Sequence, residues 1–129
     1  MSQTRQAIKT EQAPRAIGPY SQAIRVGETV YLSGQIGFDP RTMELATGGV
    51  EAEARRVFEN IKAVATAAGG SLSHICKVTI FLSDINDFPK VNEIMAQYFS
   101  EPYPARSTFA VAALPRNARV EVECVLSLA

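Results

Sequence analysis

Apolar positions along this chain change their spacing from two to 3.6 and back again, and each change marks a structural element. Residues 21–26 and 29–33 are rich in β-branched and aromatic side chains and flank Gly27-Glu28, a two-residue turn, which predicts a β-hairpin. The second arm runs into Ser33-Gly34-Gln35-Ile36-Gly37, where two glycines interrupt the strand pattern. Glycine inside a strand predicts a bulge or a close approach of the backbone to another group. From Val50 the period becomes helical: Ala54, Val57, Phe58, Ile61, Val64, Ala65 and Ala68 share one stripe. Glu51 and Glu53 fall in the first turn, where they favour the dipole, and Gly69-Gly70 stops the helix.

Residues 75–82 predict a central strand with two apolar faces, Cys76, Val78, Ile80 and Leu82 lying on one of them. A second helix begins near Asp84 to Asp87, with Pro89 tolerated in its first turn and a stripe of Phe88, Val91, Met95 and Phe99. Asn92 falls inside that stripe, so its amide needs partners, either a loop carbonyl or a polar pocket. In residues 119–128, Val120, Val122, Cys124, Leu126 and Leu128 alternate with Arg119, Glu121, Glu123, Val125 and Ser127. That strand has one core face; its two glutamates form either a solvated rim or, for one of them, a base lining a cleft.

The remaining stretches are connections. Residues 1–13 are polar apart from Ala7-Ile8, which could form a short edge strand. Residues 13–20 combine two prolines and a glycine with Ile17 and Tyr20, a stiff loop packed against something. Residues 38–49 read as a loop, and Leu114-Pro115-Arg116-Asn117 as a turn. Strands first, then helix, strand, helix and two strands give an α+β domain with both helices on one face of a single sheet. The other face would expose apolar strand residues, and burial in a homo-oligomer is the natural remedy.

Length and charge narrow the function. A chain of 129 residues is expected to form one domain over 1–129. Lys plus Arg equals Asp plus Glu at 13 each, so no overall field steers the protein toward nucleic acid or an anionic membrane. There is no apolar run long enough for a signal peptide or a membrane span, and the expectation is a cytoplasmic protein. Cys76 and Cys124 are expected as reduced core cysteines, and the single histidine, His74, has no partner at ligand spacing, so neither metal nor cofactor is expected.

Against this background one arginine stands out. In Tyr103-Pro104-Ala105-Arg106-Ser107-Thr108-Phe109 the proline fixes its own φ and pushes Tyr103 into an extended conformation, so the backbone reaches Arg106 with little freedom. A guanidinium presented in this way suits a carboxylate or phosphate; an exposed strand-edge charge is the alternative.

Ile17-Gly18-Pro19-Tyr20-Ser21-Gln22-Ala23, Ser33-Gly34-Gln35-Ile36, Asn60-Ile61, Val78, Asp87-Phe88 with Val91-Asn92, Pro104-Ala105-Arg106-Ser107 and Val120-Glu121-Val122-Glu123 follow one another in an order that resembles the Rid family of reactive-intermediate deaminases, of the RidA type. The resemblance covers nearly the whole chain. It implies a chorismate-mutase-like fold, a mixed sheet with two helices on one face, assembled as a homotrimer with clefts between subunits. The activity implied is hydrolysis of 2-imino acids to 2-oxo acids and ammonia. Arg106 would clamp the substrate carboxylate and Glu121 would position or activate water, with Tyr20, Ser33 and Asn92 lining the cleft and Gly34 giving backbone access. Two other functions stand beside this one: a non-catalytic module that binds 2-oxo acids or similar carboxylates, and, more weakly, an endoribonuclease.

Overall fold

In the computed structural model, which describes residues 4–129, strands β1 (Gln6–Ile8), β2 (Ala23–Val26) and β3 (Thr29–Ile36) form an antiparallel meander. The expectation for residues 1–3 lies outside the described residues. Gly27 turns the hairpin with φ 61°, a value glycine adopts without a Cβ penalty. β3 runs past Ser33 to Ile36, and its pairing slips between Leu32 and Gln35, the bulge that Gly34 foreshadows. Helix α1 (Gly49–Ala67), strand β4 (Ile75–Leu82), helix α2 (Phe88–Tyr98), strand β5 (Ala105–Ala110) and strand β6 (Val120–Ser127) follow.

All the strands join one mixed sheet in the order β1-β2-β3-β6-β4-β5. Only β4 and β5 run parallel, and α2 makes the crossover that a parallel pair requires. Val30, Leu32, Val78, Ile80, Leu82, Val120, Val122 and Leu126 project from one side of the sheet into the core, against Val57, Phe58, Ile61 and Val64 of α1 and Val91, Ile94 and Met95 of α2. Phe58 joins the two helices: its ring centroid lies 5.4 Å from Tyr98 and 6.0 Å from Phe99. The opposite side of the sheet is uncovered and leaves Tyr31 and Phe109 more than half exposed. No described helix is long and apolar enough to cross a membrane.

Two side-chain placements differ from the sequence reading. Cys124 is buried but Cys76 is exposed, because the β4–β6 register shifts between Ile75 and Lys77 and turns Ile75 into the core instead. A bulge of this kind reverses the facing of every residue before it. Glu53 does not serve the helix dipole as an exposed first-turn acid. It is 5% exposed, and its Oε1 accepts a 2.8 Å hydrogen bond from the backbone N–H of Arg119.

Buried amides hold the loops. Gln22 accepts from the Thr10 N–H at 2.7 Å and donates to the carbonyls of Thr10 and Pro14 at 3.0 and 2.8 Å, which anchors the proline-rich segment to the meander. Asn60, fully buried on α1, donates to the carbonyls of Ile36 and Phe38 at 3.3 and 2.9 Å and accepts from Arg56 Nε at 3.1 Å. Together Asn60 and Glu53 grip the end of β3 and the start of β6, where Ile36 pairs with Glu121.

Gly37 allows that grip to be close. A Cβ there would lie 2.8 Å from both the Cα and the carbonyl oxygen of Glu53, and helix backbone cannot step aside. Gly37→Ala is therefore expected to destabilise the fold by about 1–3 kcal/mol. Thermal unfolding should register this as a midpoint lowered by roughly 3 °C or more; an unchanged midpoint would show that α1 is free to shift.

Candidate functional site

The pleat determines which chemistry each strand offers on each side. Along β6, Val120, Val122 and Cys124 face the helices, so Glu121 and Glu123 face the open side. Ile36 on β3 and Phe81 on β4 are the register partners of Glu121. Gly34 lies directly against its carboxylate: a Cβ at that position would come within 2.9 Å of Cδ and nearer still to Oε2. The group that the glycine-interrupted strand admits is thus a side chain of the neighbouring strand.

Glu121 opens into a cleft of about 690 Å³ on the uncovered side, lined also by Tyr20, Ser33, Gly34, Phe38 and Arg116. The Ser33 hydroxyl donates to the Ser21 carbonyl at 2.6 Å, which ties the loop bearing Tyr20 to β3. Tyr20 is 52% exposed, and its phenol oxygen accepts from the Ile17 N–H at 3.3 Å. Burial is the main cause that pushes the Glu121 carboxyl above the ordinary glutamate range, and the charge of Glu123 on the same face adds to it. A half-buried carboxyl raised in this way holds a proton more readily than an exposed glutamate does, which suits a group that exchanges protons with a bound water.

Arg106 lies elsewhere. On β5 it pairs with Val78, a residue buried beneath the helices, so its side chain projects toward the helix side of the sheet. There Nη1 donates to Asn92 Oδ1 at 2.6 Å and reaches Met95 Sδ at 3.7 Å, and the guanidinium carbon sits 5.2 Å from the centroid of the Phe88 ring. Asn92 is not in the buried stripe. It is exposed, because β5 is the sheet edge and no described element beyond it covers this side of α2, whose buried positions are Val91, Ile94 and Met95. Among the described residues no carboxylate lies within salt-bridge distance of Arg106. Its cation is held by neutral groups and left free for an anion.

The structure thus gathers Tyr20, Ser33, Gly34 and Glu121 into one cleft and places Arg106 with Asn92 on the opposite face, at the far edge of the sheet. Several contributors escaped the sequence reading. Gln22 appears there only inside a motif, and Arg116 only inside a turn. Thr108, two residues from Arg106 on the same face, has a buried hydroxyl without a hydrogen-bond partner among the described residues, which no pattern in the sequence announces.

Residues 10–127 match the profile of the family described as Endoribonuclease L-PSP. The chain belongs to this family. Among its relatives, the 2-iminobutanoate/2-iminopropanoate deaminase of Dermatophagoides farinae is 54% identical over 92% of this chain and 93% of that protein. The protein of the same description from Homo sapiens is 50% identical over 94% of this chain and 88% of its own length. The solved structure of RidA from the Antarctic bacterium Psychrobacter sp. PAMC 21119 is 54% identical, covers 95% of this chain and 99% of that one, and superposes with a TM-score of 0.92. E. coli TdcF with bound serine, 42% identical, covers 95% and 98% with a TM-score of 0.90. The Rid resemblance read from the motifs is borne out.

A raised carboxyl has a measurable consequence in this family member. A folded state that disfavours the ionised form binds the proton more tightly than the unfolded chain does, so stability falls as pH rises from the unfolded pKa to the folded one. Glu121→Gln removes that penalty. The variant should unfold at a higher temperature than wild type at pH 7, with the difference vanishing as pH falls to about 4. Scans across that range test it, and a variant that melts lower at pH 7 would show that the carboxylate is stabilising instead.

Proposed function

We propose that this protein hydrolyses 2-enamine and 2-imino acids, 2-aminoacrylate/2-iminopropanoate and 2-iminobutanoate among them, to 2-oxo acids and ammonia, in clefts between the subunits of a homotrimer. The observation that carries this reading is the Arg106 guanidinium, fixed by Asn92 and Phe88 yet without an anionic partner among the described residues. Deaminase relatives at about half identity over nearly the full chain supply the reaction class.

In this scheme Arg106 takes the α-carboxylate through its planar fork of donors. The iminium carbon is already electrophilic, so positioning and proton transfer suffice and no covalent nucleophile is required. Glu121 accepts a proton as a water oxygen bonds to that carbon, which gives a carbinolamine. Returning the proton to nitrogen lets the C–N bond break and ammonia leave, while the freed Glu121 carboxylate takes the proton of the carbinolamine hydroxyl, leaving the C=O of the 2-oxo acid. Tyr20, Ser33 and Gly34 border the volume in which this takes place. The balanced charge of the chain, 13 basic against 13 acidic residues, offers a polyanionic RNA backbone no comparable attraction.

Arg106 and Glu121 project from opposite faces of one sheet, so a small substrate would meet the arginine of one copy and the glutamate of another. The uncovered face with Tyr31 and Phe109 is the surface through which copies would associate. Arg106→Ala should lower acceleration of 2-iminopropanoate hydrolysis by roughly 30-fold to several thousand-fold, as for other one-sided truncations of a desolvated charge pair. Glu121→Gln should also be inactive. Unfolding and reassembling the two variants together at equal amounts should restore about one quarter of wild-type activity, since in a ring each site draws its two halves independently from neighbouring chains. No recovery from well-assembled mixtures would put both residues in one chain's site. Saturable binding of 2-oxobutanoate by a wild type that accelerates nothing would leave a carboxylate-binding module.

A further inference from the structure

The cleft that holds Glu121 contains a cation of its own. Arg116 lines it, on the turn that leads into β6, with its guanidinium carbon 5.3 Å from the centroid of the Phe38 ring. That ring is a fixed platform: Phe38 is buried, and its carbonyl accepts the 2.9 Å hydrogen bond from the buried amide of Asn60. The guanidinium is exposed and forms no ion pair among the described residues. It is therefore a second positioned positive charge without an anion.

Its backbone is also unusual. Arg116 has φ 59° and ψ 24°, and Asn117 follows with φ 59°, so two consecutive non-glycine residues occupy the left-handed region. Asparagine is common there, whereas a long side chain such as arginine is disfavoured relative to glycine. Pro115, just before it, restricts the approach to this turn. A costly conformation at a side chain that points along a cleft is the kind of strain that functional sites retain.

We propose that Arg116 forms a side-chain anion subsite next to Glu121, fitting the enzyme to dicarboxylic 2-imino acids such as 2-iminosuccinate and 2-iminoglutarate. This rests on the deaminase reading, in which Arg106 of another copy holds the α-carboxylate and Glu121 handles the water. The charged residues lining the cleft are Arg15, Arg116, Glu121 and Glu123. Phe38 lies just beyond Ile36, the register partner of Glu121, whereas Glu123 lies in the other direction along β6. A substrate carbon placed at Glu121 would thus have its side chain extend toward Arg116 and away from the second glutamate. A terminal carboxylate there gains a guanidinium partner, and a hydrocarbon chain gains only the edge of Phe38.

The experiment compares kcat/KM for 2-iminosuccinate and 2-iminopropanoate, each generated in situ by an amino-acid oxidase, in wild type, Arg116→Ala, Arg116→Lys and Arg116→Gly. The ratio of the dicarboxylic to the monocarboxylic substrate should fall about two- to fivefold in Arg116→Ala, a loss suited to an exposed charge contact, and recover in part in Arg116→Lys. Arg116→Gly should show the same loss in ratio while melting no lower than wild type, because glycine relieves the left-handed strain. An unchanged ratio in Arg116→Ala and Arg116→Gly, or a wild type that accelerates 2-iminopropanoate but not 2-iminosuccinate, would overturn the subsite alone. A wild type that accelerates neither would overturn the deaminase reading beneath it.

Discussion

Side chains alternate between the two faces of a strand, and in a single sheet with helices on only one face that alternation sorts residues by environment. Val120, Val122 and Cys124 are committed to the core, and Glu121 and Glu123 consequently meet the open side. By the same rule Arg106, paired with Val78, belongs to the helix side. No rotamer change moves either residue through the sheet. The complementary charges of this chain are held apart by the pleat, and a second copy is the direct means of bringing them to one ligand.

The open side is where stability yields to chemistry. A half-buried carboxyl with a like charge on its own strand is a poor choice for a stable sheet, and tyrosine and phenylalanine left bare beside it are poor choices for a soluble monomer. The helix side compensates. Its apolar layers are closed by Phe58 between Tyr98 and Phe99, and its two buried polar groups on α1, Glu53 and Asn60, both serve the strand ends around Glu121. Their hydrogen bonds go to backbone groups that would otherwise be unsatisfied, so burying them supports the position of the site without an apolar substitute being equivalent.

Much of this was legible in the sequence because it follows from periods and breakers. The hairpin around Gly27, the long amphipathic helix ending before Gly69 and the alternating last strand all form where the pattern puts them. The slips have local causes. Strict alternation puts Cys76 in the core, and one bulge at the start of β4 reverses it. Helical spacing puts Asn92 in a buried stripe, and the lack of a described neighbour beyond β5 leaves it exposed. Position alone makes Glu53 a dipole acid, since sequence does not show that Arg119, far along the chain, leaves an N–H beneath it. Each error concerns a contact between distant segments, which a local pattern does not encode.

The same limit explains why the motif residues were recognisable but their arrangement was not. Tyr20, Ser33, Gly34, Asn92, Arg106 and Glu121 are marked by proline, glycine and isolated polar residues in apolar runs, features any reader of the chain can see. That they form two groups on opposite faces depends on the register of β4 with both β5 and β6. Had β5 paired one residue out of register, Arg106 would turn to the face that carries Glu121 and Glu123, and its charge would be exposed to theirs across β4. The observed register keeps the guanidinium on a neutral amide and an aromatic ring, with its charge uncommitted, and keeps the carboxyl partly dry against a glycine. Both groups retain the reactivity that an internal salt bridge would have removed.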